Sequence, residues 1–173
     1  MTSLRRALRG GDGREVLPVG EALHPATLVA LALLVLNDWV LKPAFAHTPW
    51  AHAITGKLSD LAGLAAAPVI LTALVGLLCL AARRLGARVD PFLTQRRLLL
   101  AILATGVAFA AVKLSATAAA WFVALLSHVR PAAVMVDATD LLCLPALAIA
   151  WAIGRDELRR LGQEPTGSPR TIR

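Results

Sequence analysis

Apolar residues run through this chain in blocks too long for one face of a soluble helix, and the polar residues gather at the ends of those blocks. Leu61–Ala82 and Leu98–Val112 contain no charge at all. A bilayer span needs about 20 predominantly apolar residues. Four stretches reach that length: His24–Phe45, Leu58–Ala82, Leu98–Leu126 and Ala132–Gly154. The pattern predicts an all-α integral membrane bundle of four transmembrane helices. Residues 1–23 read as a mobile basic arm, with a short interfacial helix over Leu4–Arg9. Residues 24–154 form the membrane domain. Residues 155–173 form a tail, largely disordered because Pro165, Gly167 and Pro169 interrupt it.

Composition agrees with the pattern. Of 173 residues, 57% are hydrophobic, and the mean hydropathy is +0.67. Such values exclude an ordinary soluble domain. The net charge of +7 is explained by where the arginines lie. Arg5, Arg6, Arg9 and Arg14 sit in the arm, and Arg83, Arg84, Arg88, Arg96 and Arg97 lie around the middle connection. Arg155, Arg159, Arg160, Arg170 and Arg173 follow the last span. The other two connections hold only Lys42, Lys57 and Arg130. Positive charge stays on the cytoplasmic side of a membrane. Both termini and the middle loop are therefore expected in the cytoplasm of a bacterial cell, with the protein in its inner membrane. The basic segments lack interleaved aromatics, so nucleic acid is not an expected partner. Ala44-Phe45-Ala46 has the small-x-small form of a signal-peptide cleavage site, but Asp38 and Lys42 in the preceding segment argue against cleavage.

Cys79 lies four residues and Cys143 twelve residues from the flanking arginines, a depth difference of about 12 Å along a helix. A disulfide between them is not expected.

The informative exceptions to the apolar pattern are charges inside the spans. Insertion of one such charge costs about 2.5–3.5 kcal/mol, so it faces a partner or a cavity. The first span ends in Asn37, Asp38 and Lys42, and the second opens with Lys57, Ser59 and Asp60. The third holds Lys113 and Ser115, and the fourth holds Asp137 and Asp140. Counted from the cytoplasmic arginine of the same span, Asp140 is about 22 Å deep, Lys113 about 24 Å, Asp137 about 27 Å and Asp60 about 34 Å. In a hydrocarbon core of about 30 Å, all of them fall in the outer third or at its boundary. Spacing puts Asp38 with Lys42, Lys57 with Asp60, Asp137 with Asp140, and Lys113 with Thr117 on common helix faces. The chain has fifteen Arg but only three Lys, and all three Lys belong to this layer. Lysine can lose its proton when desolvated and arginine cannot.

Local roles compete with a shared site. Ser59 is read as the cap of span two and Asp137 as the cap of span four. Pro68 and Pro145 each follow an Asp and mark either packing kinks or cavity-lining breaks. Gly63 with Ala67, and Gly106 with Ala110, are candidate close-packing positions. Lys42 and Asp60 in one half and Lys113 and Asp140 in the other suggest a weak internal repeat. His47, His52 and His128 fall in outer loops, but their spacing is no metal signature, and neither a metal nor a cofactor is expected. His24 lies at the opposite end from this layer.

The segment Thr55-Gly56-Lys57-Leu58-Ser59-Asp60-Leu61-Ala62-Gly63, with Asn37-Asp38 upstream and Asp137-x-x-Asp140-Leu141 downstream, resembles a family of small bacterial multi-pass proteins with no assigned activity. More distantly, the layout is similar to the VanZ-like family, which is linked to glycopeptide-antibiotic resistance. There, Lys57 matches the lysine of the second-helix motif, and Asp137 and Asp140 match the paired acids of the last helix. Asp60 stands where that family has histidine, Gly56 replaces an acid, and Leu144 replaces an asparagine. The resemblance implies a role at the outer leaflet.

Three functions fit these residues. The first is binding or translocation of a small polar ligand, proton or lipid headgroup at an outward-facing pocket. Lys57, Asp60, Lys113, Asp137 and Asp140 would line it, and Asp38 and Lys42 would close it. Four helices make a small transporter, so a homo-oligomer accompanies that reading. The second is a membrane enzyme on lipid-linked substrates, with Asp60 or Asp140 as acid or base. The third is an accessory subunit whose Lys–Asp bridges fix helix register. It predicts that exchanging Lys113 and Asp140 restores stability and activity.

Overall fold

A computed structural model describes residues 17–45, 47–128 and 134–163, except the side chains of Pro49, His52 and Gln163. Arg5, Arg6, Arg9, Arg14, Arg130 and the Leu4–Arg9 helix lie outside the described residues. So do Ala46 of the candidate cleavage site and residues 164–173.

The described chain is helix and turn, with no strand. Helix α1 is Pro25–Leu36, and it continues through a π-helical turn, Asn37–Leu41, into a last turn, Lys42–Ala44. Helix α2 is Pro49–Arg84, α3 is Gln95–Leu114, α4 is Ala116–Ser127 and α5 is Leu147–Gln163. A 3-10 segment, Ala138–Ala146, leads into α5. Four stretches are long and apolar enough to cross a membrane: Pro25–Ala44, Ala53–Arg84, Gln95–Leu114 and Ala138–Gly162.

Local signals set the ends. His24 caps α1, with Nδ1 accepting from Ala26 N, and Pro25 occupies the first turn, where a missing N–H costs nothing. Thr94 caps α3 by accepting from Arg97 N. Asp137 caps the 3-10 segment by accepting from Thr139 N at 2.8 Å. That segment ends just past Pro145, which has no N–H for α-type bonding and crowds the carbonyl four residues back.

Three expected boundaries move. The third block is not one span, because Ser115 is extended (φ −128°, ψ 120°) and separates α3 from α4. Lys113 is accordingly buried and Thr117 exposed, so they do not share a face. The fourth span starts at Ala138, and its helix runs on through Arg155 to Gln163. Helix α2 starts at Pro49, so Ser59 lies inside it and caps nothing.

Helix α2 is the central element and packs on α1, α3, α5 and the 3-10 segment. Many of its contacts pair a small residue with a partner: Ala65 and Ala66 with Ala30, Leu64 with Cys143 and Ala146, and Val69 with Ala150 beside Ile153. Small side chains let helices approach where lipid removes any hydrophobic drive between them. Pro68 is fully buried in this packing, whereas Pro145 is exposed. A Cβ on Gly154 would sit 2.4 Å from Leu98 Cδ2, and one on Gly76 would sit 2.8 Å from Pro91 O. Gly63 has nothing within 4 Å, so it is not a close-packing position.

The arginine end is tied down by polar contacts that the sequence reading did not foresee. Arg97 donates to the carbonyls of Asp90, Pro91 and Phe92, and this organises the α2–α3 connection. His24 Nε2 lies 3.2 Å from Asp156 Oδ2, and Arg160 lies 2.8 Å from the same oxygen. His24 is thus a tie between α1 and α5. Pro18, Gly20 and Glu21 are buried, so the chain just before α1 is packed turn.

Candidate functional site

The charges converge at the end of the bundle opposite the described arginines. Lys57 and Asp60 come from α2, Lys113 from the last turn of α3, and Asp140 from the first turn of the 3-10 segment. They form one alternating chain. Lys57 Nζ contacts Asp140 Oδ1 at 2.7 Å, Asp140 Oδ2 contacts Lys113 Nζ at 2.6 Å, and Lys113 Nζ contacts Asp60 Oδ2 at 2.8 Å. The last contact is an ion pair without an aligned hydrogen bond. Lys57 also donates to Thr139 Oγ1 at 2.8 Å. Lys113 Nζ lies 5.5 Å from the centre of the Phe109 ring.

Two ammoniums and two carboxylates cancel, so the cluster is formally neutral. Burial is graded along it. The Asp140 and Lys113 side chains are 11% exposed, Asp60 is 18% and Lys57 is 38%. Helix geometry explains the assembly: Lys57 and Asp60 lie three residues apart on one face of α2, and Asp140 reaches both lysines from across the bundle.

A second polar group stands apart, between α1 and α2. Lys42 Nζ pairs with Asp38 Oδ1 at 2.7 Å across one helical turn. Ser59 Oγ donates to the same oxygen at 2.5 Å. Asn37, fully buried, donates through Nδ2 to Ser59 Oγ and to Thr55 O, both at 2.7 Å. The π turn places Asn37 and Asp38 against α2 at this point. π turns occur frequently at functional sites.

The expected residues therefore divide. Lys57, Asp60, Lys113 and Asp140 are joined in one cluster. Asp38, Lys42 and Ser59 belong to the α1–α2 group. Asp137 makes its own cap, and its carboxyl is held below the ordinary carboxylate range, chiefly by the Thr139 backbone N–H. The internal repeat does not govern the pairing, because Lys113 meets both Asp60 and Asp140 while Lys42 meets Asp38. Thr139 and Thr55 are partners that the sequence pattern did not place in the layer, and Asn37, named at the end of the first span, had no partner assigned to it. Their signal was weak, since each is a single uncharged polar residue at or next to the end of an apolar run.

Among the described residues, no three His, Cys, Asp or Glu side chains come together as a metal site. His47 and His128 are exposed, and His128 Nδ1 lies 2.8 Å from Ala124 O. Cys79 and Cys143 are both free thiols. Compared with known protein families, curated proteins and solved structures, the chain finds no match.

Proposed function

We propose that this chain is a multi-pass protein of a bacterial inner membrane, with both termini cytoplasmic, that binds a small polar ligand, proton or lipid headgroup at its outer end. The Lys57–Asp140–Lys113–Asp60 chain is the observation that carries the reading. A neutral cluster costs less at membrane depth than separate charges, which lets it stand in the outer third of the bilayer without a permanent counter-ion. Lys57 is the exchangeable member. It is the most exposed, and among the described residues its ammonium is held by Asp140 and Thr139. A ligand oxygen, from a phosphate or carboxylate, would compete with Asp140 for it. The positive-inside distribution of arginines supports the orientation. The contact between Lys57 and Asp140 also joins two of the residues that carry the VanZ-like resemblance.

The test uses purified protein in detergent, with phosphatidylglycerol, phosphatidylethanolamine or phosphatidylcholine added in turn, and with inorganic phosphate as the free anion. The expected result is a rise of several degrees in the unfolding midpoint with at least one of these, lost in Lys57→Met. A proton-coupled role predicts acid-driven proton flux into vesicles, lost in Asp140→Asn. Neither shift nor flux in the folded wild-type protein overturns the proposal.

A second reading, as an accessory subunit whose ion pairs set helix register, is favoured by one observation: each cluster ammonium already has a carboxylate within 2.8 Å. The simple exchange of Lys113 and Asp140 cannot test it. Asp140 lies between two lysines and Lys113 between two aspartates, so the exchange creates Lys–Lys and Asp–Asp contacts. The matching test inverts all four residues at once. Restored stability with retained cellular function supports register alone, and restored stability with lost function supports ligand binding.

A further inference from the structure

We infer that α4 lies flat in the bilayer interface at the cluster end of the bundle, its exposed face in lipid, as an in-plane element separate from the four spans. This goes beyond the proposed function and stands whether or not the cluster binds a ligand.

The length of α3 is the first reason. From Gln95 to Leu114 it has 20 residues, or about 30 Å, which equals the thickness of the hydrocarbon core. It starts beside the arginines and ends at Lys113 in the polar cluster. A helix continuing along that axis would stand in water. Ser115 breaks the axis: its backbone is extended, and its Oγ starts a new helix by accepting from Ala118 N.

The composition of α4 is the second reason. Ala116–Ser127 contains no charged residue. Ala119 is buried and Ala118 and Val123 are half-buried, whereas Thr117, Ala120, Trp121, Ala124 and Leu125 form an exposed face, and Phe122 and Leu126 on the other side are also exposed. Trp121 is 75% exposed and Leu125 73%. Among the described elements α4 packs on α3 alone. An unpartnered apolar face of this kind is not left in water. Indole rings settle where hydrocarbon meets headgroups, and a helix with no charge on any side is better placed against lipid than in water.

Size argues against a second copy as the cover. A 12-residue helix presents a strip about 18 Å long and about 10 Å wide, well short of the ~800 Å² per partner of a standard interface. The bilayer is continuous with the spans already there and needs no such area.

The test uses the full chain with Cys79→Ala and Cys143→Ala, in phosphatidylcholine–phosphatidylglycerol vesicles. Thr117→Cys, Ala120→Cys, Trp121→Cys, Ala124→Cys and Leu125→Cys are spin-labelled one at a time. Collision rates with oxygen and with an aqueous nickel complex then give the depth of each label. Oxygen collisions should exceed nickel collisions severalfold at every position, with all depths within about 5 Å of one another. A helix rising through the membrane would separate positions 117 and 125 by about 12 Å and overturn the inference. Nickel collisions in excess place α4 in water and also overturn it. Spin–spin broadening, or shielding from both reagents, places a second copy on this face and does the same. If a labelled variant fails to fold, Trp121 is read as the only tryptophan in a Trp39→Phe, Trp50→Phe, Trp151→Phe chain. Shallow-brominated lipids should quench it more than deep ones. The opposite order, or no quenching, overturns the inference.

Discussion

Asp140 accepts from one lysine on each carboxylate oxygen, at 2.7 Å from Lys57 and 2.6 Å from Lys113. No other carboxylate in the cluster serves two ammoniums. Replacing it by Asn leaves Lys113, 11% exposed, with Asp60 as its one carboxylate among the described residues. Loss of charged hydrogen bonds of this kind costs about 1.5–3 kcal/mol. Asp140→Asn should therefore lower unfolding stability in detergent by that amount, and Asp60→Asn, which removes one ion pair without an aligned hydrogen bond, by less. Asp137 acts differently. Its carboxyl titrates below the ordinary carboxylate range because the Thr139 N–H donates to it. The unfolded chain then takes up the proton first. The capping contribution is complete above the ordinary carboxylate value and is lost as pH falls through the lower folded one. In Asp137→Asn, which keeps a cap but no titration, the unfolding midpoint should fall less steeply than in wild type below about pH 4. Asp38, Lys42, Lys57, Lys113 and Asp140 were legible as a polar layer because charge inside an apolar run needs a reason. The Asp38–Lys42 pair was legible from its spacing of four, but the partners of the others were not, since Lys57 and Asp140 are 83 residues apart.

At the scale of the element, helices and their apolar character could be read directly, but breaks and close approaches could not. Ser115 looks in sequence like any small residue in an Ala-rich helix, yet it ends α3 and starts α4. The glycines make the same point. Gly63 and Gly154 are equal by composition, but only Gly154 faces a neighbour. There Leu98, fully buried, would meet a new Cβ at 2.4 Å. Gly154→Ala should destabilise by about 1–3 kcal/mol through overpacking. Gly63→Ala, with nothing within 4 Å, should change stability by no more than about 1 kcal/mol, in the stabilising direction set by helix propensity. Unfolding in mixed micelles measures both. If the two variants behave alike, the α3–α5 contact is not as close as described.

Across the whole molecule, polarity is the organising fact: among the described residues, arginines lie at one end and the Lys–Asp pairs at the other. With Cys79→Ala and Cys143→Ala as background, Met135→Cys should react with an impermeant maleimide on intact cells. Arg88→Cys should react only after the membrane is opened. The reverse pattern would turn the cluster towards the cytoplasm. The sequence by itself determined that this chain is an all-helical bundle with four membrane-crossing stretches and a polar layer towards one end. Hydrocarbon demands that each span satisfy its own backbone hydrogen bonds, and that demand is met locally, residue by residue along the chain. Only the tertiary structure decided that Lys57, Asp60, Lys113 and Asp140 form one neutral chain while Asp38, Lys42 and Ser59 form another group. Which ammonium reaches which carboxylate depends on how each helix is rotated against α2. That rotation is set by the packing of Ala30, Ala65, Leu64, Val69 and Ala150, residues that carry no sign of it in their order.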